Sequence, residues 1–313
     1  MAKKIFIDGK AGTTGLRIFE RLENFNGIEI ITLSEEKRKD LAARKEALNS
    51  ADIAFLCLPD DAARESVSLI ENDNTIVIDT STAHRTDENW AYGFPELSAS
   101  HREKLKNSKR IAVPGCHASG FIALVYPLIE SGILNKNENL SCFSLTGYSG
   151  GGKKMIAEYE DAERDEFLDA PRQYGLTQQH KHLKEMKAIS CIENAPAFCP
   201  VVAPFYSGME VTVPVFKSML KEGTTLEDIK KVYKEKYQGP IVKYLENSDE
   251  SGFISAGAYS GLDSMEISVY GNEERVILSA RYDNLGKGAS GAAIECLNIV
   301  LGQDETTGLV IKF

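Results

Sequence analysis

Lys4-Ile-Phe-Ile-Asp8-Gly9-Lys-Ala-Gly12-Thr-Thr-Gly15 runs from a short apolar strand into a turn with glycine at every third position. Leu16, Phe19 and Leu22 then recur three apart, the spacing of a helix with one buried face. Strand, glycine turn and helix start form a phosphate cradle, because helix amides point at the anion and glycines permit close approach. Read alone, the G-x-x-G-x-x-G spacing also fits an ordinary tight turn. The elements that follow decide. A second strand is expected over 27–33 and a third over 52–58, stopping at Pro59. A fourth over 75–79 ends in Thr80-Ser81-Thr82-Ala83-His84-Arg85, and a fifth covers 110–113. Apolar strands that alternate with helices and end in polar residues describe a parallel, doubly wound sheet. Ligands collect at the carboxyl ends of such strands.

The first part of the chain therefore reads as a Rossmann-type dinucleotide-binding domain. Ser34-Glu35-Glu36-Lys37-Arg38 closes the second strand, where such a domain reads the adenosine ribose. Ser34, Lys37 and Arg38 suit a 2′-phosphate and Glu35 suits free hydroxyls, so residue types leave NADP and NAD both open. Gly9, Gly12, Thr13, Thr14 and Gly15, with Pro59 and Ser81 at later strand ends, complete the expected cofactor contacts.

The fifth strand delivers Val113-Pro114-Gly115-Cys116-His117-Ala118-Ser119-Gly120, followed by an apolar run over 121–129 that suits a helix. A cysteine at a helix start sees unpaired amides and the positive dipole end, both of which favour thiolate. Its small neighbours let a substrate reach the sulfur and let amides face a developing oxyanion. Burial as a structural thiol is the commoner fate of a cysteine, but this turn points to a nucleophile.

Beyond it the pattern changes. A strand over 140–146 leads to Ser149 and to three consecutive glycines, 150–152, which fit either an anion-binding loop or a flexible hinge. Residues 158–170 are dense in Asp and Glu and read as solvated. Tyr174-Gly-Leu-Thr-Gln-Gln-His180-Lys-His182 opens a helix running to 188. Residues two apart on a helix do not share a face, so His180 and His182 are expected to point differently. No third ligand stands nearby, and no metal site is expected. Alternating strands over 209–215, 265–270 and 275–282 make this second region α+β, with a mixed or antiparallel sheet. Asp283-Asn284-Leu-Gly-Lys287-Gly288-Ala-Ser-Gly then enters an apolar helix that is expected to return to the first domain.

Composition limits the partners. The 313-residue chain carries a net charge of −10 with no long basic run, which argues against nucleic acid and anionic membranes. No apolar stretch approaches the ~20 residues of a membrane span. The strand entered at Lys4 leaves no room for a signal peptide, and six scattered cysteines suit a reduced, cytoplasmic protein.

Taken in order, Gly9-x-x-Gly12-x-x-Gly15, Val-Pro-Gly-Cys116-His-Ala, Gln-His180-Lys-His182 and Asp-Asn284-Leu-Gly-Lys287-Gly288-Ala-Ser-Gly resemble the short form of N-acetyl-γ-glutamyl-phosphate reductase, from arginine biosynthesis. The resemblance spans essentially the whole chain. It implies NADPH-dependent reduction of an acyl phosphate to the semialdehyde with release of phosphate. Cys116 falls on the nucleophile and His180, six residues after Tyr174, on the base. Arg85, Ser149, Tyr174 and His182 fall on substrate contacts. Asn284, Lys287 and Gly288 fall beside the nicotinamide. The resemblance further implies a homo-oligomer, a dimer or tetramer. It assigns 1–115 with 289–313 to the NADP domain and 116–288 to the catalytic and oligomerisation domain. An aspartate-semialdehyde dehydrogenase acting on another acyl phosphate shares the same logic.

Overall fold

The computed structural model describes residues 2–23 and 25–313. The chain forms two compact units: residues up to Gly115 with Ala289–Leu309, and Cys116–Gly288 with Val310–Phe313.

The first unit begins with β1 (Lys3–Asp8), α1 (Thr13–Leu22), β2 (Ile28–Ile31), α2 (Leu41–Ser50), β3 (Ile53–Leu56) and α3 (Asp60–Ser68). It continues with β4 (Ile76–Asp79), β5 (Ala91–Tyr92), α4 (Ala99–Asn107) and β6 (Arg110–Ala112). The strands join in the order β2-β1-β3-β4-β6-β5, every pair parallel. The expected fifth strand is thus the sixth. The extra one, β5, is a two-residue pairing of Ala91 and Tyr92 with Ile111 and Ala112, too short to leave a periodic signal. The helix α2 shows no clean apolar stripe in sequence, because its buried face includes Arg44 beside Ala47 and Leu48.

The second unit holds α5 (Cys116–Glu130), β7 (Ser141–Gly147), α6 (Gly152–Glu160), β8 (Arg172–Gln173), α7 (His182–Ile189) and β9 (Ala197–Ala203). β10 (Met209–Phe216), α8 (Leu226–Lys236), β11 (Val242–Tyr244), β12 (Met265–Gly271) and β13 (Arg275–Tyr282) follow. Their sheet is mixed, ordered β11-β12-β13-β10-β7-β9-β8. One face, carrying Val211, Val213, Leu278, Ala280 and Tyr282, is buried, and α5 is apolar on nearly every side and buried with it. Burial of each of these valine and leucine side chains contributes about 1.5–3 kcal/mol. The three glycines join two helical segments: a 3₁₀ turn ends at Gly151 and α6 begins at Gly152, whose φ of 73° lies outside the helical region. The acidic stretch is also less solvated than its composition suggests, since Tyr159 and Leu168 bury with Val202 in a small cluster that Tyr174 packs against.

A π-helical turn, Gly286–Ser290, leads into α9 (Gly291–Leu301), which returns to the first unit. There Ala293, Ile294 and Leu297 share a core with Ile5, Ile18, Ile53 and Ile111. Gly302 ends α9 in the left-handed conformation. The expected C-terminal completion of this unit stops short of 313. Val310 N–H donates to Asp263 and the Val310 carbonyl accepts from the Asp263 amide, both at 2.8 Å, so the last four residues belong to the second unit.

Candidate active site

In the first unit β1 delivers Asp8 to the glycine turn. Gly9 has φ +90°, and a Cβ there would lie 2.3 Å from the Cys57 carbonyl oxygen. Gly15 is required for a similar reason, because its Cβ would come within 2.5 Å of the Gly9 carbonyl. These two glycines close the turn against the protein. Gly12 differs: its Cβ would meet only Gly9 O at 3.5 Å and Cys57 O at 3.8 Å, both ordinary contacts. It caps α1 without any side-chain cap, so the first helical amides remain available to an anion.

A cleft of about 710 Å³ opens here, lined by Gly9, Gly12, Leu33, Arg38 and Pro59 among others. Ser34, Lys37 and Ser81 are not in its lining, nor are Thr13, Thr14 and Gly15. Lys37 N–H and Arg38 N–H both bond the Ser34 carbonyl, and the resulting turn brings Glu35, Arg38 and Lys39 to the cleft in place of Ser34 and Lys37. Ser81 is turned inward, its hydroxyl donating to Asp79 at 2.7 Å. The cleft's glycine floor and cationic rim fit a nicotinamide dinucleotide. A Gly12→Val protein is expected to fold but to lose cofactor binding, as read by titration of nicotinamide fluorescence. Unchanged affinity would take the pyrophosphate away from this turn.

Arg44, which also lines the cleft, gave no signal in the sequence. Its guanidinium donates to Asp8 at 3.1 and 3.2 Å, to Glu65 at 2.8 Å and to Ser66 at 2.7 Å. It thereby neutralises a buried carboxylate at the edge of the glycine turn. Further along the sheet, Asp79 accepts from the Ser81 amide at 2.9 Å and pairs with His84 Nδ1 at 2.6 Å, while the His84 ring stacks on Trp90. This fixes the turn carrying Arg85, whose Nε donates to the Val113 carbonyl at 2.8 Å and Nη2 to the Thr80 carbonyl at 2.9 Å.

In the second unit Cys116 is the first residue of α5, five residues earlier than the apolar run alone suggested. The Tyr282 hydroxyl is inserted into the first rung of that helix. It donates to the Cys116 carbonyl at 2.6 Å and accepts from the Gly120 amide at 3.0 Å. Gly120 admits it, since a Cβ there would lie 2.6 Å from that oxygen. Gly288 packs directly on Cys116, with an added Cβ only 3.1 Å from its Cβ. Asp283 holds this loop together by accepting from the amides of Leu285, Gly286 and Gly261 and from Ser207 Oγ. Asn284 spans Ser149, to which it donates at 3.0 Å, and Gly208, whose amide it accepts at 3.0 Å. Lys287 is buried.

The histidines are arranged differently from the sequence expectation. α7 starts at His182, so His180 lies in the turn before the helix and the two-residue spacing rule does not apply. That turn is pinned to β9 by Gln178, which donates to the Phe198 carbonyl at 2.7 Å and accepts from the Phe198 amide at 2.8 Å. The two rings stand edge to face with centroids 4.8 Å apart, and both pack on His117, at 5.9 and 5.6 Å. His182 therefore faces the same site. His180 Nδ1 accepts the His182 amide at 3.3 Å, which leaves Nε2 to carry the proton of the neutral ring. Burial, then the Lys181 charge, lowers the His180 pKa. Burial pushes the thiols of Cys57 (to about 12) and Cys142 upward, so neither is a competing thiolate. Among the described residues no group of His, Cys, Asp and Glu could hold a metal ion, and no helix is long and apolar enough to cross a membrane.

Residues 4–107 match the family model for the semialdehyde dehydrogenase NAD binding domain, and 116–284 match that for the semialdehyde dehydrogenase dimerisation domain. The chain belongs to the semialdehyde dehydrogenase family. Within it, the similar curated proteins are N-acetyl-γ-glutamyl-phosphate reductases. That of Rhizobium meliloti is 43% identical over 308 residues, 96% of this chain and 99% of the relative. That of Brucella ovis is 44% identical over 310 residues, 97% and 100%. Among solved structures, aspartate semialdehyde dehydrogenase II of Vibrio cholerae complexed with ASA aligns with a TM-score of 0.72 at 16% identity, covering 96% of this chain and 99% of that one. The enzyme from Francisella tularensis gives 0.71 at 16%, covering 96% and 100%. At such identities the structures share the fold alone.

Proposed function

We propose that the chain reduces N-acetyl-γ-glutamyl phosphate to N-acetylglutamate semialdehyde, with NADPH as reductant and a thioacyl group on Cys116 as intermediate. The observation that carries this is Cys116 at the first position of α5, beside a cluster of His117, Tyr174, His180 and His182. The Cys116 thiolate attacks the acyl carbon. The S–C bond forms, the C–O bond to phosphate breaks, and phosphate leaves without needing a metal, because the acyl group is already activated. The cofactor, when bound, supplies a hydride to the thioester carbon. His180, in the tautomer seen here, donates from Nε2 to the oxygen that gains charge. To take the thiol proton at Nε2 the ring must first carry its proton at Nδ1, which breaks the contact with the His182 amide. Collapse of the hemithioacetal breaks C–S, frees the aldehyde and restores the thiolate.

NADP over NAD is proposed from the Arg38 and Lys39 side of the cleft. Homo-oligomer formation is proposed from the dimerisation-domain match and from the half-exposed Phe143, Phe216 and Ile277 on the open sheet face. We also assign the soluble biosynthetic setting of the relatives, the cytoplasm, to this chain. The test is formation of reduced nicotinamide from N-acetylglutamate semialdehyde, phosphate and NADP, with aspartate semialdehyde in parallel. Preference for aspartate semialdehyde would replace the substrate reading with the related dehydrogenase activity.

Arg85 is proposed to hold an anionic part of the substrate. Arg85→Lys loses the planar donor pair and is expected to raise KM for the acyl phosphate on the order of 10–100-fold, leaving KM for the cofactor unchanged. The reverse pattern in steady-state kinetics would move Arg85 to the cofactor.

A further inference from the structure

The residue after the nucleophile has no task in the mechanism above. His117 is 3% exposed, yet both of its ring nitrogens are engaged: Nδ1 with Ser144 Oγ and Nε2 with the Tyr174 hydroxyl, each at 2.6 Å. Burial, with His180 adding a smaller push, drives its pKa down to about 3, so the ring is neutral in any working buffer. A neutral ring has one proton to place, and its neighbours decide where.

Ser144 lies on the buried face of β7, 1% exposed, and its hydroxyl bonds nothing else among the described residues. Its hydroxyl has one proton and one acceptor within reach, Nδ1 of His117. Were Nδ1 to carry the ring proton instead, the serine proton would be buried without an acceptor. The ring proton therefore sits on Nε2 and is donated to the Tyr174 oxygen. That oxygen is satisfied from the His117 side, and the phenol's own proton is directed elsewhere. The bond to His117, the next residue after Cys116, holds this phenol at the start of α5, and burial, with a smaller contribution from Cys116, raises the Tyr174 pKa, so the phenol stays protonated.

We propose that Ser144, His117 and Tyr174 form a one-directional hydrogen-bond relay in which His117 is a positioning residue that aims the Tyr174 hydroxyl, as a donor, at the reacting centre on Cys116. In the resting enzyme the donor meets the thiolate; in the acylated enzyme it meets the acyl oxygen. The proposal rests on Cys116 being the nucleophile and assigns Tyr174 a transition-state role beyond substrate contact. The titratable groups facing this centre are His180 in the turn before α7, His182 at its start and Tyr282 from β13.

Two amide substitutions separate this role from simple packing. An asparagine amide nitrogen falls near the position of Nδ1, and a glutamine amide nitrogen near that of Nε2. His117→Gln thus keeps the donor to Tyr174, while His117→Asn keeps only the contact with Ser144. Tyr174→Phe and His117→Asn are each expected to lower kcat by about 10²-fold, the usual effect of losing one oxyanion donor, with KM unchanged. The double variant should be no slower than either, and His117→Gln should recover to within about threefold of the unsubstituted enzyme. Losses that multiply in the double variant, or Asn and Gln variants that are equally slow, would overturn the relay.

A second readout needs no substrate: the pH profile of Cys116 alkylation by iodoacetamide, followed by mass spectrometry of its peptide. Removing the donor in Tyr174→Phe or His117→Asn should move the midpoint upward by the same amount, and His117→Gln should return it. Unmoved midpoints would overturn the relay even in an active enzyme. Shifted midpoints in an enzyme that does not turn over the semialdehyde would leave the relay standing and refute the substrate reading instead.

Discussion

Serine at position 116 is expected to leave cofactor binding intact and to remove turnover by roughly 10⁴-fold or more, the scale seen when a nucleophile acting as a unit with its base is lost. A serine hydroxyl is far less ionised than a thiol near neutral pH and is a poorer nucleophile. The substitution is also nearly isosteric. Tyr282 still bonds the position-116 carbonyl, and Gly288 still has room beside Cβ. Loss of activity therefore reports chemistry and not misfolding. Steady-state rates, with mass spectrometry for the acyl-enzyme formed from the acyl phosphate, check both halves. A Cys116→Ser enzyme with full turnover would end the thioacyl mechanism.

His180→Asn is expected to be less severe, on the order of 10²–10⁴-fold, the usual range for one general acid–base group. The pH dependence carries the sign. Burial and Lys181 lower the His180 pKa, so the neutral ring persists to more acid pH than for an ordinary histidine. The acid limb of the rate profile should accordingly fall below about pH 6.5, and it should vanish in His180→Asn. His182→Asn is the comparison, and an informative one because His182 shares the site instead of facing away. If the limb disappears with His182 and persists without His180, the proton carrier is His182.

The parts of the fold visible in the sequence are those set by local chemistry. Five apolar runs with polar ends and the glycine turn announce the parallel sheet, because in such a sheet each strand's own composition reports its burial. The Pro-Gly-Cys turn announces the position of Cys116 at the first residue of α5, the place from which its proposed reactivity is argued. Geometry was hidden wherever it depends on where an element begins. Placing His180 inside α7 made His180 and His182 diverge; starting the helix two residues later brings both rings onto His117. The turn closed on the Ser34 carbonyl likewise exchanges Ser34 and Lys37 for Glu35 and Lys39 at the cleft. Arg44 and His117 were hidden for another reason. A buried arginine looks like a solvated one until its carboxylate partner, 36 residues away in Asp8, is known. His117 looks like an accessory to Cys116 until Ser144 and Tyr174 arrive from separate elements.

The hydroxyl that bridges the first rung of α5 comes from a residue 166 positions downstream. During synthesis the cysteine helix therefore leaves the ribosome long before its bridge exists. At about 5–20 residues per second the interval is on the order of ten to thirty seconds. The first unit waits as well, since Ile294 and Leu297 of its core follow the strands of the second unit in the chain. Neither half can mature ahead of the other, so competence arrives as a single late event.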